Sequence, residues 1–512
     1  MTDIDPSTPV LVGVGQFAER LDDPDYAALS AVDIGARAAA AALADAGLTA
    51  QTLGKLDALV GVRQFEASHQ NAVAPLGRSD NYPRSVGDRV DLDPELAVYD
   101  VVGGDGPQRL VGEFGAKIAA GEMDAVLLVG SEAMSTTRHF ARAEDKPDHS
   151  EERGGQLEDR GYGLDDMVTM SQVMHGLIGP PSQYALLEHA RRARLGLSRD
   201  EYAATMGELF APFTDVAAQN PLSAAPTKRT ADEIATVTEK NRMVADPFPR
   251  FVIARDQVNQ GAAVLLMSVR RARELGIDPS RWVFLHGHAK ASAPNLIERA
   301  DLGSAPQAEA ALKGALESAG VSVDDIDFFD IYSCFPVAVF AATDALGLAP
   351  DDPRGLTLTG GLPYFGGAGN NYSMHGIAEA VERARQEPGS LGLVAANGGI
   401  ISKYAVGVYS TTPRPWPAGV DPQPELDAAP RVEGVDEYTG EGVIETFTVT
   451  PFGAAAGGVL GILVCRTDDG RRFFAHADPA DEKLAALLAG GEPIGARISA
   501  HPVDGKNIAT LA

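Results

Sequence analysis

Over most of the chain, short apolar runs that suit buried strands alternate with stretches of helical period. Pro9-Val10-Leu11-Val12-Gly13-Val14-Gly15 is an apolar run ending in glycines, and it predicts a strand covered on both faces. Ala28 to Gly47 is alanine-rich with helical spacing, and the glycine is placed to end the helix. Leu56 to Val62 predicts a second strand. Helix and strand in alternation predict an α/β fold.

The pattern echoes itself. Ala42-Leu43-Ala44-Asp45-Ala46-Gly47-Leu48 precedes the strand around Leu59, and Ala315-Leu316-Glu317-Ser318-Ala319-Gly320-Val321 precedes Ile326 to Ile331. Met123 to Gly130 resembles Leu391 to Gly398, each following an alanine-rich helix. A duplicated α/β unit is the economical reading. It places one half at 1–280 and the other at 281–411. Residues 140–250 break the rhythm with charge, Gly and Pro, and carry helical pieces such as Tyr184 to Leu195. They predict an inserted loop domain over one face, where ligands are commonly held.

After the Pro-rich linker Thr412 to Gly419 the period changes to that of strands. Val443 to Val449, Val459 to Arg466 and Arg471 to Ala475 read as strands, the last two joined by Asp468-Asp469-Gly470, a hairpin turn signal. Ile498 to Pro502 and Ile508 to Leu511 flank Asp504-Gly505. Several short strands within 420–512 predict a small antiparallel β-barrel of OB size.

Composition narrows the partners. The 512 residues carry a formal charge of -28, with a pI near 4.7. Such a surface does not favour nucleic acid or anionic membranes, though a local basic pocket for a phosphorylated ligand remains open. The tail also lacks the basic and aromatic run that single-strand binders use. Two distant cysteines, Cys334 and Cys465, build neither a disulfide framework nor a cysteine-based zinc site. His286 and His288 share a strand face but have no evident acidic partner, so no metal is expected. Met1 to Pro6 lacks the features of a secretion signal and no run is long enough to span a membrane, so a cytoplasmic protein is expected.

Between residues 8 and 411 the chain resembles the thiolase superfamily. The resemblance is carried by Val10 to Gln16, by Gly121 to Ser135, and by Val258-Asn259-Gln260-Gly261-Ala262-Ala263-Val264-Leu265-Leu266. The sterol-carrier-type branch is the nearest in motif. The added C-terminal β-domain narrows it to thiolase-like proteins of type 1. The resemblance implies a five-layer αβαβα body with two pseudo-symmetric halves.

All four thiolase motifs depart from the family's pattern. Where a thiolase has its nucleophilic cysteine, this chain has Val102-Gly103-Gly104-Asp105-Gly106, with Gly104 at the nucleophile position. The second motif reads Tyr332-Ser333-Cys334-Phe335. At the Gly-His-Pro histidine, an ungapped count places Gly367, and anchoring on the following helix places Ser373, beside Tyr372. The latter is preferred. The fourth motif reads Ala395-Ala396-Asn397-Gly398-Gly399. Thiolysis needs a thiolate and an activating histidine, so ordinary thiolase activity is not expected.

Tyr332 is the first candidate for chemistry, because a phenol can donate to a thioester oxygen or act as acid or base. Tyr372 and His375 are its candidate helpers. Cys334 reads as a small buried group rather than a nucleophile, and Cys465 as structural. Gly103, Gly104, Cys334, Phe335, Gly398 and Gly399 are candidate substrate contacts, the glycines offering backbone N–H groups to an oxyanion. Gly103 and Gly104 are also expected to open room for a larger acyl group.

Three readings follow. The leading one is an acyl-CoA-binding protein of the acyltransferase superfamily without thiolase chemistry, taking a lipid- or sterol-derived acyl group and no other cofactor. The second is a retro-aldolase or other C–C lyase on a β-hydroxyacyl-CoA, using Tyr332 with Tyr372 or His375. The third is a non-catalytic carrier or scaffold subunit. The choice between monomer and homodimer stays open.

Overall fold

The computed structural model describes residues 4–164, 167–451 and 460–512. Its body holds two sheets. The first runs, edge to edge, Pro9–Ala18, Asn259–Ser268, Ala125–Ala133, Ala58–Gly61, Leu96–Tyr99 and Glu158–Asp159. The second runs Phe284–Ser292, Lys403–Ser410, Gly392–Gly398 and Phe328–Ile331.

The first four strands of each sheet pair in the same sequence: antiparallel, antiparallel, parallel. The internal echo is therefore a duplication of topology, with two further strands on the first sheet. Asn259–Ser268 completes the first sheet and Phe284–Ser292 begins the second.

Helix Ala31–Asp45 covers the outer face of the first sheet, and Pro306–Ala319 covers that of the second. The former starts at a capping box in which Ser30 and Asp33 satisfy each other's backbone N–H groups. Between the sheets lie Gly106–Ala119 and Tyr372–Gln386. Leu110, Val111, Phe114 and Ile118 of one and Ile377 and Val381 of the other share a core with Val126 and Val264 of the first sheet and Val394 of the second. This gives five layers. Each large apolar side chain buried there contributes about 1.5–3 kcal/mol relative to exposure. Both central helices begin at the same end of the molecule, and so they aim their N-termini at one place.

The inserted segment packs its helices Pro180–Leu195 and Arg199–Ala217 against the second half. Glu188 is fully buried there. It accepts the Val337 N–H at 2.9 Å, at the start of helix Pro336–Leu346, and the Tyr202 hydroxyl at 2.5 Å. Burial raises its carboxyl to about 7.

The tail forms a closed five-stranded barrel from Gly440–Thr450, Leu460–Thr467, Arg472–Ala477, Arg497–Val503 and Lys506–Leu511. Val459, read as the start of a strand, lies outside the described residues. The all-antiparallel expectation needs one correction, since Arg472–Ala477 pairs in parallel with Lys506–Leu511. Helix Glu482–Gly490 makes this possible. It follows the third strand, puts Leu484 and Leu488 into the barrel core, and lets the last two strands return as a hairpin. The barrel docks on the body through buried polar contacts. The Thr446 hydroxyl donates to the Leu186 carbonyl at 2.6 Å, and the Asn507 N–H donates to His175 Nε2 at 3.0 Å. Arg472 pairs with Glu445 and donates to the carbonyls of Ile297 and Arg299 at 2.8 and 2.6 Å. No helix among the described residues is long and apolar enough to cross a membrane.

Candidate functional site

Four loops meet where the two central helices begin. Val102–Asp105 leads into the first helix, and Gly366–Asn371 leads into the second. Tyr332–Phe335 follows the strand Phe328–Ile331. Asn397–Gly399 ends the strand Gly392–Gly398. Together with the inserted segment they enclose a cavity of about 580 Å³. Gly103, Gly104, Tyr332, Cys334, Phe335, Gly398 and Gly399 all line it.

Gly104 is where it is because nothing larger fits. A Cβ at this position would press on the Tyr332 hydroxyl and lie 2.6 Å from the Asn397 carbonyl oxygen. The expectation that the glycines open room is thereby corrected: Tyr332 fills the space a nucleophile's side chain would take. Ser373 donates its hydroxyl to the Gly104 carbonyl at 2.7 Å and so fixes the same loop from the second central helix. Gly103 donates its N–H to Asn370 Oδ1 at 3.1 Å, while Asn370 Nδ2 donates to the Arg63 carbonyl at 2.7 Å. The N–H groups of Gly104 and Gly399 donate to nothing among the described residues.

Tyr332 is buried and meets the ring of Tyr372 edge-on at 5.3 Å. Its hydroxyl has no hydrogen-bond partner among the described residues. Burial, then the neighbouring Cys334 and Asp105, hold its pKa well above the usual phenol value, so it stays protonated and is a donor.

Cys334 is held in an apolar wall, with Asn397 Nδ2 at 3.6 Å from its sulfur, and burial pushes its thiol up to about 12. A thiol so raised supplies almost no thiolate at neutral pH. Asn397 Nδ2 also donates to Tyr184 Oη at 2.9 Å, and Tyr184 donates to the Gly399 carbonyl at 2.7 Å. Tyr184 stacks on Phe335 at 4.3 Å. The Asn397 Oδ1 is buried and unpaired.

Two predicted helpers lie elsewhere. Tyr372 is fully buried and does not line the cavity. Its hydroxyl is engaged with Thr359 Oγ1 at 2.6 Å, within the cluster that surrounds the Asp330 carboxyl. His375 is also fully buried and outside the cavity. Its Nδ1 faces Gln16 Oε1 at 2.7 Å, and Gln16 Nε2 donates to Glu379 at 3.0 Å. The helical turn explains both, because Ser373 is the residue of this stretch that points to the loop of Gly104. Gly367 lines the cavity without a side chain to offer. His286 meets the Thr412 carbonyl at 2.8 Å and His288 lies against Trp416, so the linker takes up both. Cys465 is buried in the barrel core.

Burial lowers the pKa of His375 to about 3. In the unfolded chain a histidine takes up its proton near 6.5, whereas in the folded chain it does not. Stability is therefore full above about 6.5 and is lost as pH falls toward about 3, by about 1.4 kcal/mol per pH unit for this group. His375→Gln is expected to remove this contribution. In urea titrations between pH 6.5 and 4.5, wild type should lose about 2–3 kcal/mol more than the variant. Equal losses would contradict it.

The sequence reading missed a second part of the site. A groove of about 610 Å³ adjoins the cavity and shares Ile253, Ala254 and Asp256 with it. Its walls carry Arg229, Lys240, Arg242, Arg250 and Arg255. None of the five is ion-paired among the described residues. Most other arginines of this acidic chain are paired. Arg255 Nε is buried without a partner, and burial together with Arg250 lowers its pKa. The signal lay in the charge pattern: five cations between 229 and 255, four inside the insertion and Arg255 just past it, against a strongly acidic background.

Comparison with known proteins places these features. A family model described as the thiolase-like protein type 1 additional C-terminal domain matches residues 421–506. An acetyl-CoA acetyltransferase of Methanothermobacter thermautotrophicus is 26% identical over 225 residues, 41% of this chain. One from Schizosaccharomyces pombe is 30% identical over 105 residues, 20% of this chain. The chain spans 56% of the first relative's length and 24% of the second's. Among solved structures, a monomeric SCP2-thiolase like protein type 1 from Mycobacterium smegmatis has a TM-score of 0.85 and 47% identity, over 99% of this chain and 100% of that one. An Ltp2-ChsH2(DUF35) aldolase, at 0.58 and 18%, covers 78% of this chain and 98% of its own. Human mitochondrial 3-ketoacyl-CoA thiolase, at 0.53 and 17%, covers 80% and 100%. The last two share the fold.

Proposed function

Because this chain belongs to the SCP2-thiolase-like proteins of type 1, we propose that it binds a coenzyme A thioester and does not carry out thiolysis. The observation that carries the reading is the unpaired basic groove opening onto an apolar cavity. Phosphate groups of the nucleotide end would meet Arg229, Lys240, Arg242, Arg250 and Arg255, where charge-assisted hydrogen bonds are strongest. The pantetheine arm would pass Ile253 and Ala254. The acyl group would enter the cavity between Phe335, Leu362 and Ile400. The thioester oxygen would lie near Tyr332 and the N–H groups of Gly104 and Gly399, which have the character of an oxyanion site.

Thiolysis would need a thiolate with a base beside it. The cysteine in the cavity wall is held protonated, and His375 lies outside the cavity. Neither the Gly104 nor the Gly367 position offers a side chain.

Tyr332 favours one enzymatic alternative. A protonated phenol against a thioester oxygen stabilises an enolate, which is half of retro-aldol cleavage of a β-hydroxyacyl-CoA. The other half is a base for the β-hydroxyl proton. Among the described residues the carboxylate in the cavity wall is Asp256, which is ion-paired with Arg138. Tyr372 and His375 do not reach. Binding without cleavage is therefore the primary reading.

The test is calorimetric titration with CoA, acetyl-CoA, longer acyl-CoAs and β-hydroxyacyl-CoAs, followed by product analysis. Saturable binding without free-CoA release supports the reading; no binding across the panel, or robust thiolysis, ends it. Tyr332→Phe separates the alternatives. It should weaken acyl-CoA affinity about 3- to 10-fold through loss of one neutral hydrogen bond and leave CoA itself unchanged. If wild type cleaves a β-hydroxyacyl-CoA and Tyr332→Phe does not, the lyase reading replaces the primary one.

A further inference from the structure

A second pocket lies behind the glycine turn that closes the acyl cavity. It has a volume of about 160 Å³ and sits between the inserted helix Pro180–Leu195, helix Pro336–Leu346 and the start of helix Pro306–Ala319. The turn Gly399–Ser402 separates it from the cavity, with Ile400 lining the cavity and Ile401 lining the pocket.

Its charged groups do not balance. Arg299 is 6% exposed and has no carboxylate partner among the described residues. Its Nε donates to the Pro294 carbonyl at 3.2 Å and one Nη to Ser402 Oγ at 3.1 Å. Its Nη1 has no hydrogen-bond partner among the described residues. Burial lowers its pKa to about 10, the cost of a guanidinium held away from water without a counter-charge. Arg191 and Arg194 share a single carboxylate, Asp344, at 2.8 and 3.1 Å. The other carboxylate in the wall, Glu309, is paired along its own helix with Lys313. Three guanidinium groups thus face one inner carboxylate. The first turn of the 14-residue helix Pro306–Ala319, which has no side-chain cap, adds to the positive potential. Gly303 and Ser304 form part of the rim, and the inner wall carries the apolar side chains of Leu187, Leu302, Val337, Ala341, Ala345 and Ile401.

We propose that this pocket binds a short-chain carboxylate, its anionic end held by Arg299, Arg191 and Arg194 and its alkyl end against Leu187, Val337 and Ile401. Planar guanidinium groups match a carboxylate's two oxygens, and a pocket of this size admits only a few carbon atoms beyond them. The apolar floor selects such a ligand over inorganic phosphate. The site is separate from the CoA groove and stands whether or not a thioester binds there.

The test is calorimetric titration of the full chain with butyrate, with butyramide as the neutral isostere and inorganic phosphate as the rival anion. Butyrate should bind saturably at one site, more tightly than phosphate, and butyramide should not bind. Arg299→Met should abolish the binding. Should that variant fail to fold, two others keep the question open to measurement. Arg194→Ala removes a half-exposed cation and should weaken butyrate about 10-fold. Ser304→Trp, at an exposed position on the rim, should block entry. Arg242→Ala, in the CoA groove and outside this pocket, should leave butyrate affinity unchanged. The proposal is overturned if no saturable binding is seen, if butyramide or phosphate binds as well as butyrate, or if Arg194→Ala and Ser304→Trp leave butyrate unaffected. Loss of butyrate binding in Arg242→Ala would also overturn it, by placing the ligand in the other groove.

Discussion

Gly104→Cys is expected to destabilise the protein by about 1–3 kcal/mol and to yield no thiolase. The added Cβ would meet the Tyr332 hydroxyl and the Asn397 carbonyl oxygen, which is part of a strand and has little freedom to retreat. The Ser373 hydroxyl holds the loop from the other side. Denaturant unfolding of the single variant, of Tyr332→Ala and of the double variant would measure the conflict. The double variant should recover part of the loss, giving a coupling of about 1 kcal/mol or more. Strict additivity would mean that Tyr332 is not what excludes a side chain at 104. Even with space restored, a thiol there would lack a histidine, because His375 lies outside the cavity and the residue of its helix that meets this loop is Ser373.

The larger effect is expected in the basic groove. Reversing Arg242 and Arg250 together, as Arg242→Glu and Arg250→Glu, should weaken CoA at least about 100-fold. Each charge-assisted hydrogen bond contributes about 1.5–3 kcal/mol, and each 1.4 kcal/mol is tenfold in affinity. The remaining affinity should fall further with added salt, since screening acts on an open groove. The variant should unfold at the same denaturant concentration as wild type, because neither side chain is ion-paired in the described structure. CoA affinity unchanged by the double reversal would move the nucleotide elsewhere and remove the main support for the thioester reading.

The fold was legible because both halves announce themselves by period. The strand Pro9–Ala18 is buried on both faces over its first seven residues and so reads as an apolar run from Pro9 to Gly15. The duplication was visible because each half repeats one helix–strand unit. The barrel strands were also legible, from alternation and from the Asp468–Gly470 turn. The parallel pair was not, since direction across a barrel depends on what helix Glu482–Gly490 lets the chain do. The candidate site was legible where a motif occupies one stretch, as at Gly103–Gly104, Tyr332–Phe335 and Gly398–Gly399. It was misread at Tyr372 and His375, because neighbours on one helical turn face different ways and only packing decides which faces the cavity. Tyr184 and Asn370 reach the site from segments far apart in the chain, with no shared pattern to mark them.

By itself the sequence determined the layered α/β body, its internal repeat, the β-rich tail and the absence of a cysteine at position 104. These are local properties, written in period, turn chemistry and residue identity. Tertiary structure alone decided that Tyr332 fills the space beside Gly104, that Cys334 is held protonated, and that five cations between 229 and 255 gather on one groove. Those outcomes depend on distance and burial between segments that meet only when the chain folds, and that is where the protein's chemistry is set.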